Sequence, residues 1–175
     1  MKILVLSDSH GRIENAKAVL QRLEQQVDMV FHLGDYDEDA KALQSMFSGL
    51  PFHYVKGNND YGWDTPSHKL VTAQGKRFLL THGHKERVHY NLNTVAYWGE
   101  EQGVDAVIFG HTHVPFKDGD GRVYLFNPGS ISLPRDGFPP TFGIISIENE
   151  RIEGTIMEFD KGQSDGENVS FRCNN

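Results

Sequence analysis

Five short segments of this chain concentrate side chains that bind metal ions: Asp8-Ser9-His10, Gly34-Asp35, Gly57-Asn58-Asn59-Asp60, Thr81-His82-Gly83-His84 and Gly110-His111-Thr112-His113. Taken singly each is weak, because a lone His at a strand end is more often a hydrogen-bonded turn residue than a ligand. Together they change the balance. Asp8, His10, Asp35, Asn58, His82, His111 and His113 follow successive apolar runs, in a chain with no other concentration of His. Seven donors are too many for one ion and suit two. Oxygen and imidazole donors without thiolate favour Mn²⁺, Fe, Ni²⁺, Co²⁺ or Zn²⁺, with Mn²⁺ the first expectation, and disfavour copper(I) and iron–sulfur clusters. Four imidazoles are also poor for Ca²⁺ or Mg²⁺, which prefer oxygen shells. Two divalent ions, Asp8, Asp35 and one hydroxide would leave the site cationic inside a protein of formal charge −7. Such a site attracts anions, phosphate esters foremost.

The elements that must carry these segments are legible as periodicity. Ile3-Leu4-Val5-Leu6, Asp28 to Leu33, Phe52 to Val55, Lys76 to Thr81 and Ala106 to Phe109 read as buried strands, each stopped by one of the polar segments. Ile13, Ala16, Leu20, Leu23 and Val27 mark one face of a helix over Glu14 to Gln26. A second helix is expected over Glu38 to Phe47, with Leu43, Met46 and Phe47 inward, and a third over Tyr90 to Gln102. Strand–helix–strand–helix–strand favours a parallel sheet with right-handed crossovers. In an open α/β sheet, ligands bind beyond the carboxyl ends of strands, so all five segments are expected at one sheet edge.

The last third changes character. Arg122 to Phe126, Thr141 to Ile147 and Arg151 to Phe159 read as strands without intervening helices, and Ile144 to Met157 as a hairpin around Glu148-Asn149-Glu150. A second, mostly antiparallel sheet edge packed on the first is expected there. The polar tail from Asp160 reads as loose chain or a short edge strand.

The 175 residues point to a single domain spanning 1–175. Seventeen Lys and Arg against 24 Asp and Glu argue against a long nucleic-acid partner. One Cys, Cys173, excludes a disulfide framework and reads as a spectator thiol. The first apolar run has four residues, far short of the roughly 20 needed to span a membrane, so a soluble cytoplasmic protein with no membrane partner is expected.

These five blocks, in order and spacing, resemble the calcineurin-like metallophosphoesterases. With Lys2-Ile3-Leu4-Val5-Leu6-Ser7-Asp8-Ser9-His10 and Asn127-Pro128-Gly129-Ser130, the chain is most similar to the small prokaryotic phosphodiesterases of that superfamily. The resemblance implies an α/β fold, a two-sheet αββα sandwich that is parallel-rich in its N-terminal part and antiparallel-rich in its C-terminal part. It implies that Asp8, His10, Asp35 and His113 hold one ion and that Asp35, Asn58, His82 and His111 hold the other, with Asp35 bridging. It also implies two-metal hydrolysis, a bridging hydroxide attacking phosphorus in line with the leaving oxygen. Asp35, Asn58, His82, His111 and His113 are then the catalytic set.

One departure stands out. Many members carry Gly-Asn-His-Asp or Gly-Asn-His-Glu, whose His can protonate the leaving oxygen; here Asn59 takes that place. General acid help is worth about 10²–10⁴-fold, most with poor leaving groups. A small phosphodiester with an acidic leaving alcohol is therefore the expected substrate, and alkyl phosphomonoesters are expected to react weakly. Asn59, Asp60 and His84 are candidates for substrate contact or for supporting the ligands, Asp60 by orienting a ligand imidazole. His32 reads as a core histidine, and His53, His68 and His89 are assigned no role. Arg12 reads as a surface residue, and Trp63 is the better of the two Trp for stacking on a substrate ring. The competing readings are a phosphomonoesterase and a non-catalytic interaction scaffold, the use to which a similar retromer subunit puts this fold. Exposed apolar positions in the antiparallel part would also permit a homo-oligomer.

Overall fold

The computed structural model describes residues 1–161 and 169–174. The strand β1 (Lys2–Leu6) shows why an unbroken apolar run is needed at its centre. Ile3 and Val5 point into the layer between two sheets, while Leu4 and Leu6 point into a layer covered by helices. Both faces are buried, so alternation disappears from the sequence. After β1 come α1 (Glu14–Leu23), β2 (Met29–His32), α2 (Asp37–Met46), β3 (Phe52–Tyr54), β4 (His68–Ala73) and β5 (Lys76–Thr81). Then follow α3 (Asn93–Gln102), β6 (Ala106–Ile108), β7 (Pro115–Asp118), β8 (Tyr124–Pro128), β9 (Thr141–Glu148), β10 (Arg151–Lys161) and β11 (Val169–Asn174).

The first sheet has the order β11-β10-β9-β1-β2-β3 and the second β4-β5-β6-β8-β7. Their inner faces meet through Ile3, Val5, Phe31, Phe78, Leu80, Ile108, Phe126 and Ile145. Ala16, Val19 and Leu20 of α1 and Leu43 of α2 cover the outer face of the first sheet. Val95 of α3 packs on Leu79 and Val107 of the second. The result is the expected αββα sandwich. Among the described residues no helix is long and apolar enough to cross a membrane.

The allocation of strands differs from the sequence expectation. β1, β2 and β3 are parallel neighbours as expected. Of the expected C-terminal strands only β8 joins the second sheet; β9 pairs antiparallel with β1 at Ile3↔Ile145 and, with β10 beside it, extends the first. The second sheet instead takes β5 and β6, parallel at Leu79↔Val107, with β8 parallel beside β6. The five polar segments therefore leave two sheets, not one edge. Periodicity reports which residues are buried, and burial is the same in either sheet. The expected hairpin forms, with Asn149 and Glu150 at φ 50° and 62° in its turn, the left-handed geometry of a tight two-residue connection.

Two edge strands were not anticipated. In β4 only Val71 and Ala73 are buried, and β7 begins with Pro115, a residue confined to sheet edges because it lacks a donor. α1 and α3 are shorter than periodicity indicated, α2 is shifted by one residue, and Met46, expected inward, is 52% exposed at its end. The tail from Asp160 returns as the edge strand β11 beside β10. Residues 162–168 and 175, and the side chain of Cys173, lie outside the described residues.

Candidate metal centre

The ends of β1, β2, β3, β5 and β6 bring all seven expected ligand residues to one end of the sandwich. Backbone hydrogen bonds lace the segments in pairs: Asp8 N–H donates to Gly34 O (3.1 Å), and Gly110 N–H to His82 O (3.1 Å). Side chains join the sheets. His82 Nδ1 donates to Leu33 O at 2.7 Å, and the His111 N–H donates to Asp8 Oδ2 at 3.1 Å.

Four ligand atoms, from Asp8, His10, Asp35 and His113, all lie within 4.8 Å of one another. His10 Nε2 and His113 Nε2 face each other at 3.2 Å. On the other side, His82 Nε2 lies 3.4 Å from Asp35 Oδ1 and 3.2 Å from Asn58 Oδ1. The His111 ring is centred 5.0 Å from that of His82. Asp35 stands between the two groups, its Oδ2 being 3.6 Å from His10 Nε2.

The donors fit a divalent cation on three grounds. Asp8 Oδ2 is satisfied by Ser7 Oγ at 2.5 Å and by the His111 N–H, whereas Asp8 Oδ1 is buried without a hydrogen-bond partner. Second, the ion pairs of the buried Asp8 and Asp35 are all with imidazoles, and an unpaired buried carboxylate is expensive. Third, His82 and His113 give their Nδ1 hydrogens to the carbonyls of Leu33 and Leu133, which fixes the tautomer and leaves Nε2 free as a ligand.

Electrostatics agree with geometry. Burial pushes the Asp8 carboxyl up, but His113 and His82 outweigh it and hold the group at about 2. Burial pushes His111 down to about 4, helped by His82 and His89, and it lowers His10 and His84 as well. His113 is raised, because Asp8 overcomes the effect of its burial.

Backbone strain marks the same place. Asp8, His10, Asp35, His111 and His113 are five of the eleven non-glycine residues with positive φ among the described residues. Such conformations persist where surrounding structure over-determines them. Gly57 is needed for a different reason: a Cβ there would lie 2.0 Å from Asp35 Oδ1.

Residues 1–150 match the calcineurin-like phosphoesterase superfamily domain. The chain belongs to that superfamily. It is 33% identical to the probable metallophosphoesterase YsnB of Bacillus subtilis, over 98% of either chain. It is 24% identical to the phosphodiesterase YfcE of Escherichia coli K12, over 83% of this chain and 87% of that one. The crystal structure of Zn²⁺-complexed Vps29 from Entamoeba histolytica superposes with a TM-score of 0.76 at 26% identity, covering 99% of this chain and 97% of that one.

Around the calcineurin-like centre, the supporting residues differ in part from expectation. Asn59 clamps Asp35, its N–H donating to Oδ1 at 3.0 Å and its Nδ2 to Oδ2 at 2.6 Å. Asp60 accepts from the backbone N–H groups of Tyr36, Asp37 and Gly57, so it ties its own loop to the start of α2 instead of orienting an imidazole. His84 sits at the rim, its ring 5.3 Å from His82 and its buried Nδ1 without a partner. His32 is buried as expected and pairs with Ser9 Oγ at 3.1 Å. Trp63 is 98% exposed.

Sequence reasoning passed over several neighbours. His89, given no role, packs edge-on against His111 with centroids 4.7 Å apart. Tyr36 lies 5.7 Å from His10. Asn127 and Ser130, in a segment noted above only for its resemblance to the family, brace the site: Asn127 Nδ2 donates to Gly110 O and Thr112 Oγ1, and Ser130 Oγ to Asp8 O. Their signal was present in Asn127-Pro128-Gly129-Ser130, but nothing in one sequence ties that turn to the loop at Gly110 and Thr112 or to Asp8, more than a hundred residues upstream.

Removing the clamp in Asn59→Ala is expected to weaken Mn²⁺ binding by about 10–100-fold, read by isothermal titration calorimetry. An unchanged affinity would show that Asp35 needs no support. Burial lowers the pKa of His32, so protonation favours the unfolded chain. Stability of the metal-free protein should thus fall as pH drops below about 6.5, and His32→Gln should remove up to about 1.4 kcal/mol per pH unit from that slope. Urea denaturation at several pH values measures it, and an equal slope in the variant would contradict the assignment.

Proposed function

We propose that this chain is a dinuclear metal-dependent phosphodiesterase. Asp8, His10, Asp35 and His113 would surround one divalent transition-metal ion, and Asp35, Asn58, His82 and His111 the other. The observation that carries the reading is Asp35, whose Oδ2 lies 3.6 Å from His10 Nε2 and whose Oδ1 lies 3.4 Å from His82 Nε2. One carboxylate thus faces both imidazole groups. Mn²⁺ suits the donors, with Ni²⁺, Fe, Co²⁺ and Zn²⁺ as alternatives. Bound ions supply Lewis acidity, which acidifies water and offsets charge on the phosphoryl oxygens.

The protein's own groups set the substrate. The backbone N–H and the side-chain Nδ2 of Asn59 are both engaged with Asp35, and an amide has no acidic proton to give. The leaving alcohol therefore departs without help from this position, which favours esters of acidic alcohols. His84 stands at the rim where it would meet a phosphate oxygen, and burial lowers its pKa, which favours a hydrogen bond there over a full charge. The likeness to YfcE, a protein named as a phosphodiesterase, supports the same substrate class.

Bis(p-nitrophenyl) phosphate should turn over faster than a simple alkyl monoester in Mn²⁺ or Ni²⁺. The reverse order would overturn the diesterase reading and leave a phosphomonoesterase. The likeness to Vps29 favours a second reading, an interaction scaffold without catalysis. As an enzyme, the protein should lose its metal-dependent hydrolysis in Asp35→Asn and His113→Ala while both variants keep wild-type circular dichroism. A wild type that hydrolyses no phosphoester with any of these metals would favour the scaffold.

A further inference from the structure

Beside the centre lies a cavity of about 270 Å³ that the reaction as described does not use. Its lining includes His89, which packs against His111, and Thr112, the residue between His111 and His113. Phe109, Val114 and Phe116 supply apolar wall, with the rings of Phe109 and Phe116 6.5 Å apart and tilted by 47°. Asp136 is the charged group at its edge. It follows Arg135, whose N–H donates to His113 O.

Four features of this cavity specify an occupant. It is contiguous with the site, since His89 and Thr112 belong to its wall and touch or adjoin the ligand residues. Its size falls just under that of pockets that enclose whole drug-sized ligands, about 300–1,000 Å³, so it matches one ring. Tilted aromatic walls reward a flat apolar group by ring–ring contact. Asp136 repels an arm that carries its own negative charge and accepts a hydrogen bond from one that bears N–H or O–H.

We propose that this cavity receives one organic arm of the phosphodiester, and that the arm is a neutral, ring-bearing group. The proposal rests on the phosphodiesterase reading and narrows its substrate class. It makes Phe116, on the edge strand β7 and 36% exposed, a specificity-determining residue. Truncating it removes ring contact without touching any ligand of the centre.

The test is direct binding. Mn²⁺-loaded wild type, Phe116→Ala and Phe116→Leu are titrated calorimetrically with methylphosphonate and phenylphosphonate, which share the anionic group and differ in the ring. Wild type should bind phenylphosphonate about tenfold more tightly than methylphosphonate, a difference of about 1.4 kcal/mol. Phe116→Ala should reduce that advantage to about twofold or less and leave methylphosphonate affinity unchanged, with Phe116→Leu intermediate. Equal affinity of wild type for the two ligands, or an equal loss for both in the Ala variant, would overturn the proposal. If circular dichroism shows the Ala variant unfolded, the wild-type ratio and the Leu variant decide. Diester hydrolysis measured alongside separates the two ideas: ring preference without hydrolysis sinks the enzymatic reading alone, and hydrolysis without ring preference sinks the pocket alone.

Discussion

Two carboxylates, Asp8 and Asp35, are almost fully buried, and imidazoles are their ion-pair partners. An anion in that position is costly to desolvate and stays only where positive charge or directed hydrogens answer it. Much of the surrounding structure answers those two groups. Ser7 and the His111 amide satisfy one oxygen of Asp8, Asn59 satisfies both oxygens of Asp35, and the remaining Asp8 oxygen is left for a cation. The carbonyls of Leu33 and Leu133 lock two imidazoles with their bare nitrogens inward.

Such preorganisation stores strain, and the fold restrains it with rigid neighbours. Five of the candidate ligand residues, Asp8, His10, Asp35, His111 and His113, sit in left-handed backbone conformations just past the ends of buried strands. Loops so anchored have little freedom to relax. The two sheets share the work. The first carries Asp8, His10 and Asp35, the second carries His82, His111 and His113, and the bonds from His82 to Leu33 and from His111 to Asp8 hold them in register.

Asn59, where many family members carry a histidine, is built into the site as a support for Asp35. A histidine there would carry a transferable proton, whereas the amide is engaged as a clamp on Asp35. The same region keeps other imidazoles at hand, His84 at the rim and His89 against His111, so the site is rich in nitrogen even without that histidine. The apolar hollow beyond His89 gives this centre a side on which organic groups, and not only phosphate oxygens, can be distinguished.

That the seven candidate ligand residues gather at one end of the sandwich was legible in the sequence because each follows an apolar run that reads as a buried strand, and strand ends are where polar side chains gather. The hairpin at Asn149-Glu150 and the helical faces of α1 and α3 were legible for the same local reason. Other features were not. Whether β9 joins β1 or begins a second sheet depends on pairing between residues more than a hundred positions apart, which periodicity does not encode. The roles of Asp60 and His89 likewise depend on which loop lies opposite, not on the residue type. The sequence by itself thus determined the donors and the buried strands, since hydrophobic patterning is a local property. The tertiary structure alone decided which carboxylate oxygen lacks a hydrogen bond, which amide holds Asp35 and which residues line the hollow beside His89, because each of these is a distance between distant parts of the chain.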